Sequence, residues 1–189
     1  EGLEQSGHDV VALGIAENGA WLSPDVGMRV LRSTDKALPA STENARASVR
    51  HIAGAAIDVA FPIVHGTYGE DGTLQGLFEM LDVPYVGCGV VASSVAMDKL
   101  LSRRLFEAAG LPVVPYVAVA RGGVDDVVKN AAELGEPLFV KPSVGGSSVG
   151  CKLVKKRADL VDAVRFALRF DDTALVEKGV KAREIEVAI

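Results

Sequence analysis

The stretch KPSVGGSSVG at residues 141–150 joins a lysine to a loop of glycines and serines. Lys141 ends an apolar run and precedes Pro142, so its ammonium group would leave a rigid strand end and face whatever the loop covers. Glycines let a backbone approach a ligand closely, and serines add hydroxyls and amides. The common phosphate loop places its lysine after the glycines. That motif is excluded here, and we expect a different phosphate cradle rather than a plain turn.

A second polar stretch, HGTYGEDG at residues 65–72, follows an apolar run predicted to be a buried strand. Its backbone amides and the imidazole of His65 could together hold a carboxylate or a phosphate. A glycine-rich connection with solvated acids and a capping hydroxyl at Thr73 explains the same residues equally well. We therefore keep both interpretations open.

Two further stretches carry candidate residues that mean little in isolation. Lys99, in MDKLLSRR, would by itself be taken for a surface lysine. Glu177 and Lys178 end a predicted strand and could offer a carboxylate and backbone groups to an adenine or a ribose. Glu184 and Glu186 alternate along the next predicted strand and so share one side of it. An exposed strand edge whose charges deter pairing is the alternative interpretation.

Composition narrows the class of protein. The chain has 189 residues, of which 49% are hydrophobic and 24% charged, as is ordinary for a globular α/β protein. The net charge of −5 argues against a general nucleic-acid binder, which usually carries a basic face. Cys88 and Cys151 are far apart and lack histidines at metal-ligand spacing, so we expect free thiols in a reducing cytoplasm. The sequence contains no run of 18 apolar residues, so it predicts no membrane span.

Short apolar runs alternate with segments of helical period, which predicts an α/β fold. Asn18 and Gly19 suit a hairpin turn, and the apolar run at 57–64 suits a strand buried on both faces of a parallel sheet. Predicted strands lie at 9–15, 57–64, 84–87, 113–120, 137–141, 149–155 and 173–178, and predicted helices at 73–82, 92–109, 124–135 and 157–170. Residues 23–50 are expected to be a loop with a weak helix near 42–54.

Together, HGTYGEDGTLQG, MDKLLSRRLFEAAGLP, PLFVKPSVGGSSVG and LVEKGVKAREIEVAI resemble the D-alanine:D-alanine ligase family of the ATP-grasp superfamily. Their order and spacing match across about residues 55 to 189. The resemblance implies that ATP phosphorylates one D-alanine and that the amine of a second attacks the acylphosphate. The product is a dipeptide for peptidoglycan. It also implies a cytoplasmic enzyme that is a homodimer at full length and uses ATP and Mg²⁺, with no nucleic-acid or membrane partner.

The resemblance also assigns roles to residues. Lys99 and Lys141 would contact the nucleotide and its phosphates, and His65 would contact the carboxylate of the first D-alanine, with Glu70 supporting the same loop. Ser147 would support the first-substrate site as the catalytic residue of this segment. The loop over the phosphates would consist of Gly145, Gly146, Ser147, Ser148, Val149 and Gly150, and the adenine and ribose contacts would come from Glu177, Lys178, Val180 and Glu184.

The implied organisation is a Rossmann-like N-terminal domain, incomplete, at 1–87, a central ATP-grasp α+β subdomain at 88–180, and the start of a truncated C-terminal domain at 181–189. The Mg²⁺ ligands are expected beyond residue 189, none of them in this segment, so the segment alone is expected to be inactive. A D-alanine:D-lactate ligase and a non-catalytic nucleotide-binding remnant remain open as alternatives. More distant ATP-grasp enzymes would share the lysines and the loop but not HGTYGEDGTLQG.

Overall fold

The computed structural model describes residues 2–16, 18–33, 38–183 and 185. It separates into two compact units, one containing residues 1–60 and 78–85 and the other residues 61–77 and 86–189. The helices are α1 (Gly2–Gln5), α2 (Pro24–Arg32), α3 (Ala45–Ser48), α4 (Arg50–Ala53), α5 (Thr73–Met80), α6 (Val90–Met97), α7 (Lys99–Ala108), α8 (Val127–Asn130) and α9 (Leu160–Ala167). The strands are β1 (Tyr116–Ala120), β2 (Leu138–Pro142), β3 (Lys152–Val154) and β4 (Thr173–Lys178).

The first unit contains the predicted hairpin turn. Ile15 pairs with Trp21 in antiparallel orientation, and Gly19 adopts the positive φ of 79° that the tight turn requires. The predicted loop after residue 23 instead begins with helix α2. This helix lies so close to the preceding segment that a Cβ at Gly27 would meet the carbonyl oxygen of Ala12 at 2.0 Å. Glycine is therefore needed at this position.

Three strands predicted in the first half of the chain, at 9–15, 57–64 and 84–87, are not extended strands in the structure. Among the described residues, the run at 9–15 forms only the bridge at Ile15, and the run at 57–64 forms only a parallel bridge from Ala60 to Tyr85. Val59, Phe61 and Ile63 are exposed, so the prediction of a strand buried on both faces was wrong. An apolar run becomes such a strand only when neighbouring strands pair along its length, and here a single residue finds a partner.

The second unit is built on a four-stranded sheet with the order β1-β4-β2-β3, in which every neighbouring pair is antiparallel. One face packs on helices α8 and α9. Strand β2 shows the alternation clearly, since Leu138 and Val140 are fully buried in this core, whereas Phe139 and Lys141 point to the other face. Each such buried leucine or valine stabilises the fold by roughly 1.5–3 kcal/mol. Helix α9 contributes Leu160 and Val164 to the same core.

The predicted helix at 92–109 is two helices, α6 and α7, separated at Asp98. Asp98 has extended backbone angles, and its side chain accepts hydrogen bonds from the amides of Leu100 and Leu101. An aspartate that captures these first amides caps a new helix. The helical spacing of the sequence continues across the break, which is why the pattern alone predicts one helix.

Candidate functional site

The sheet face opposite the core carries the charged side chains. Glu177 of β4 lies opposite Tyr116 of β1 and opposite Phe139 of β2. Because side chains two residues apart share a face, Lys141 lies diagonally across from Glu177. The antiparallel pairing of three strands thus brings together residues that are 36 positions apart in the sequence.

Glu177 is held by two cations. Lys141 Nζ lies 2.9 Å from Glu177 Oε2, and Arg103 of helix α7 forms an ion pair with Glu177 Oε1. The side chain of Glu177 is 8% exposed, that of Arg103 16% and that of Lys141 17%. These three groups are therefore largely removed from water, and each charge needs the others as partners.

Lys99 is the first residue of helix α7 and points toward the glycine loop. Its Nζ donates to the carbonyl oxygens of Ser143 at 3.2 Å and Gly145 at 2.6 Å. Burial lowers the pKa of Lys99, and the neighbouring positive charge of Lys141 lowers it further. The ammonium group is thus held beside the loop by neutral carbonyls, and an anion placed there would favour its charged form.

The start of the glycine loop is fixed by a network of hydrogen bonds. The buried hydroxyl of Ser143 donates to Asp98 Oδ1 at 2.6 Å and accepts from the amide of Leu100 at 3.1 Å. Asp171 accepts from the amide of Val144 at 2.9 Å. Burial raises the pKa of Asp98, but the hydrogen bonds from Ser143 and the helix amides outweigh it and leave the pKa lowered. The loop entrance is therefore tied to the N-terminus of α7.

The loop itself has an uncommon backbone. Ser147 and Ser148 have φ values of 49° and 58°, and Gly145 and Gly150 also have positive φ. Non-glycine residues in this region cost free energy and cluster at functional sites. Within the described part of the chain, the amides of Ser147 and Ser148 donate to no acceptor, so they remain available to a ligand.

The middle and the end of the loop differ in how much space surrounds them. A Cβ at Gly146 would meet no atom within 4 Å, whereas one at Gly150 would lie 2.7 Å from both Phe170 and Pro142. Val149 is exposed. The loop is therefore anchored at its end and open in its middle.

The residues after β4 are more exposed. Lys178 and Val180 lie at the surface. The amide of Lys178 donates to the carbonyl oxygen of Pro115 at 3.0 Å, so a backbone contact from Lys178 to a ligand would use its carbonyl oxygen. Glu184 and Glu186 lie outside the described residues, and their predicted roles stay predictions.

His65 belongs to a separate cluster. Its imidazole is 91% exposed, and Nδ1 lies 3.7 Å from Glu70 Oε1. Glu70 Oε2 also accepts from the amide of Gly66 at 2.5 Å. Asp71, rather than Thr73, caps helix α5, since its carboxylate accepts from the amides of Tyr68 and Thr73. Glu70 thus supports the His65 loop, and the imidazole is accessible to a ligand.

A groove with a volume of about 580 Å³ lies beside α7 and β1. It contains none of the predicted site residues and is lined by Leu100, Arg104, Glu107, Val113, Pro115, Tyr116, Ala118 and Leu134. The predicted site residues lie on the open face of the sheet, at the start of α7 and in the glycine loop, and the groove approaches them through Tyr116, which lies opposite Glu177. We therefore place the candidate site at Lys99, Lys141 and the loop.

The arrangement suits a polyanion. Lys99 and Lys141 present two ammonium groups beside open backbone amides, while the nearby carboxylates of Glu177, Asp98 and Asp171 already have partners within the protein. Phosphate groups are bound by such ammonium groups and amides. No group of three histidine, cysteine, aspartate or glutamate side chains in the described ranges could hold a metal ion.

The sequence patterns did not single out Arg103, Asp98 or Ser143. Arg103 follows Lys99 by four positions and so lies on the same side of a helix. Asp98 directly precedes a helical run, as capping residues do. These two signals were present, but the role of Ser143 depends on how the strand meets the helix and has no local signature.

Solved structures resemble this chain over much of its length. The D-Ala:D-Ser ligase VanG of Enterococcus faecalis matches with a TM-score of 0.71 and 31% identity, over 92% of this chain and 53% of that one. The D-alanine-D-alanine ligase of Coxiella burnetii matches with a TM-score of 0.61 and 42% identity, over 66% of this chain and 36% of that one. The fold is that of the ATP-grasp ligases, as the sequence predicted.

Family models identify the chain more narrowly. The model described as D-ala D-ala ligase N-terminus matches residues 1–88, and the one described as D-ala D-ala ligase C-terminus matches residues 105–189. The chain belongs to the D-alanine:D-alanine ligase family, which confirms the resemblance. A protein of Treponema pallidum named D-alanine-D-alanine ligase is 44% identical over 96% of this chain and 50% of its own length. The chain spans about half the length of the curated relatives that it matches.

Proposed function

We propose that the protein carries out ATP-dependent ligation of two D-alanines through an acylphosphate, in the cytoplasm, for peptidoglycan synthesis. The curated relatives named D-alanine-D-alanine ligase support this choice and lend no support to D-lactate as the acceptor. The observation that carries the proposal is the cluster of Lys99, Lys141 and Glu177 beside the glycine loop.

The nucleotide part of the proposal follows from charge and geometry. The ammonium groups of Lys99 and Lys141 would bind the phosphates of ATP, and the amides of Ser147 and Ser148 would complete the contacts. Glu177, Lys178 and Val180 would face the base. Catalysis in such a reaction depends mainly on positioning and on stabilising charge around the transferred phosphoryl group.

His65 would bind the carboxylate of the first D-alanine. Its imidazole is exposed, and Glu70 lies beside Nδ1 of the ring, which leaves Nε2 for the substrate. This nitrogen, which does not face Glu70, would contact the carboxylate. Ser147 lies in the loop and would support the same substrate with its hydroxyl.

The complete protein would use Mg²⁺ with ATP and act as a homodimer. The metal would supply charge neutralisation at the phosphates. The described residues offer no metal-binding cluster, so no residue of this part of the chain is assigned to it. Along these residues, no helix is both long and apolar enough to cross a lipid bilayer.

The test is to express the whole reading frame that carries this chain and to measure phosphate release with ATP and D-alanine. We expect release that depends on D-alanine, with D-alanyl-D-alanine identified by mass spectrometry. D-Lactate and D-serine serve as alternative acceptors. No D-alanine-dependent release, or a product formed preferentially with another acceptor, would contradict the proposal.

A matched pair of variants tests whether Lys141 serves ATP and His65 serves D-alanine. Lys141→Ala should lower kcat/KM for ATP by about 30-fold, which corresponds to about 2 kcal/mol for a lost charge-assisted contact. His65→Ala should raise KM for D-alanine and leave KM for ATP unchanged. Equal effects of both variants on both substrates would count against the assigned roles.

A further inference from the structure

The cluster around Glu177 raises a question about Lys141. Its ammonium group lies 2.9 Å from Glu177 Oε2, yet the proposed function requires it to bind phosphates. If Lys141 turned to a ligand and nothing else neutralised Glu177, a carboxylate whose side chain is only 8% exposed would be left unpaired. Such a buried charge is strongly unfavourable.

Arg103 is placed to prevent this. It forms an ion pair with the other oxygen of Glu177, so the carboxylate keeps a partner when Lys141 leaves. Its guanidinium also lies 5.7 Å from the centre of the Tyr116 ring, and its Nη1 donates to the carbonyl oxygen of Lys99 at 3.3 Å. Contacts with β4, with β1 and with its own helix α7 therefore hold Arg103 in place.

Lys141 is held less firmly. Among the described residues, Lys141 makes a polar contact with Glu177 alone, and its Nζ lies 5.9 Å from the centre of the Phe139 ring. A lysine ammonium on a flexible stem can rotate between partners, whereas a planar guanidinium that donates to several acceptors cannot rotate without losing those contacts. The two cations on Glu177 thus have different freedom.

We propose that Arg103 is a positioning residue for nucleotide binding: it is the fixed counter-charge of Glu177, and it frees Lys141 to move to the phosphates. This inference rests on the proposed binding of nucleotide phosphates by Lys141. Arg103 acts through Glu177 and Lys141 and does not itself touch the nucleotide. Without it, Glu177 retains Lys141, and the site loses phosphate affinity.

The experiment measures ADP binding by isothermal titration calorimetry on the complete reading-frame product. Arg103→Met keeps much of the aliphatic stem but removes the charge, and we expect it to raise the Kd for ADP by about tenfold or more. Arg103→Lys keeps the charge and should stay within about threefold of wild type. Arg104→Met, the exposed neighbour on the same helix, removes the same charge and should leave the Kd unchanged.

The variant Glu177→Gln separates this role from a general structural one. A neutral side chain needs no counter-charge, so adding Arg103→Met to Glu177→Gln should change the Kd by no more than about twofold, whatever Glu177→Gln does alone. This double variant leaves no buried unpaired carboxylate. It therefore remains informative if Arg103→Met alone folds poorly.

The outcomes are distinct. If wild type does not bind ADP, the proposed nucleotide function fails. If wild type binds and Arg103→Met binds equally well, the role of Arg103 fails while the proposed function stands. The role of Arg103 is also overturned if Arg103→Met lowers the affinity for ADP as much in the Glu177→Gln background as in wild type. The same holds if Arg103→Lys loses as much affinity as Arg103→Met.

Discussion

Removing the carboxylate of Glu177 should destabilise the sheet unit more than any exposed acidic substitution. Glu177→Ala leaves Arg103 and Lys141 as neighbouring cations whose side chains are 16% and 17% exposed. Breaking a buried pair by removing one partner costs about 3–5 kcal/mol. Because both cations keep some access to water and Lys141 can turn outward, we expect the lower end, about 3 kcal/mol.

Glu177→Gln should cost less, about 1–2 kcal/mol, because its amide oxygen still accepts a hydrogen bond from one cation. Native-state hydrogen exchange is the suitable assay, since it resolves stability at separate amides. The amides of Val140 and Val176 lie in the central strands β2 and β4. Trp21 belongs to the first unit, so exchange at individual amides reports on the sheet more directly than its fluorescence does.

The exchange experiment contains its own controls. The amides of Ala16 and Leu22 are hydrogen-bonded within the first unit and should keep their protection in both variants. Glu133→Ala removes an exposed carboxylate from the second unit and should shift protection by less than about 0.5 kcal/mol. If Glu177→Ala changes the protection of Val140 and Val176 no more than Glu133→Ala does, the reasoning about the buried ion pairs is refuted.

Two further predictions concern Lys99 and Gly72. Burial lowers the pKa of Lys99 below 10.5 in the folded state, so unfolding takes up protons between the two pKa values, and stability rises with pH in that window. Lys99→Met should abolish this rise and stabilise the ligand-free protein at neutral pH by about 0.5–1 kcal/mol, and it should eliminate ADP binding. Urea unfolding at several pH values measures the pH dependence of stability. A pH dependence equal to that of wild type would contradict the prediction. Gly72→Ala should destabilise the second unit by about 1–3 kcal/mol, because its φ is 91° and its Cβ would lie 2.3 Å from Ser94 Oγ. Gly76→Ala, where a Cβ meets nothing within 4 Å, is the control, and equal thermal shifts would exclude the steric explanation.

The sequence predicted the second unit better than the first. Strands β2 and β4 and helix α9 lie where apolar alternation and helical spacing placed them, because their own side chains form the core. The run at 57–64 has the same apolar character, yet among the described residues only Ala60 pairs. Apolar runs report a tendency to be buried, whereas strand formation also depends on partners that a local pattern does not contain.

The site shows the same limit. Lys141 and the glycine loop stand out in the sequence because glycines, serines and a lysine are adjacent. Arg103 does not, because its significance comes from the rotation of α7 about its axis and from the position of Glu177 on another strand. Family resemblance identified Lys99 and Glu177 and gave no reason to select Arg103, whose contacts appear only in three dimensions.

The pairing register of β2 and β4 links the core to the chemistry. Val140 faces Val176 in the core, and Phe139 faces Glu177 on the open side. A slip of one residue between the strands would exchange the two faces, burying Lys141 among apolar side chains and exposing Val140. The apolar packing of Val140 against α9 therefore stabilises the sheet and also keeps Lys141 and Glu177 on one face. On that face the ammonium group of Lys141 and the guanidinium group of Arg103 can both contact the carboxylate of Glu177. Substitutions that weaken this core should accordingly impair nucleotide affinity before they unfold the unit.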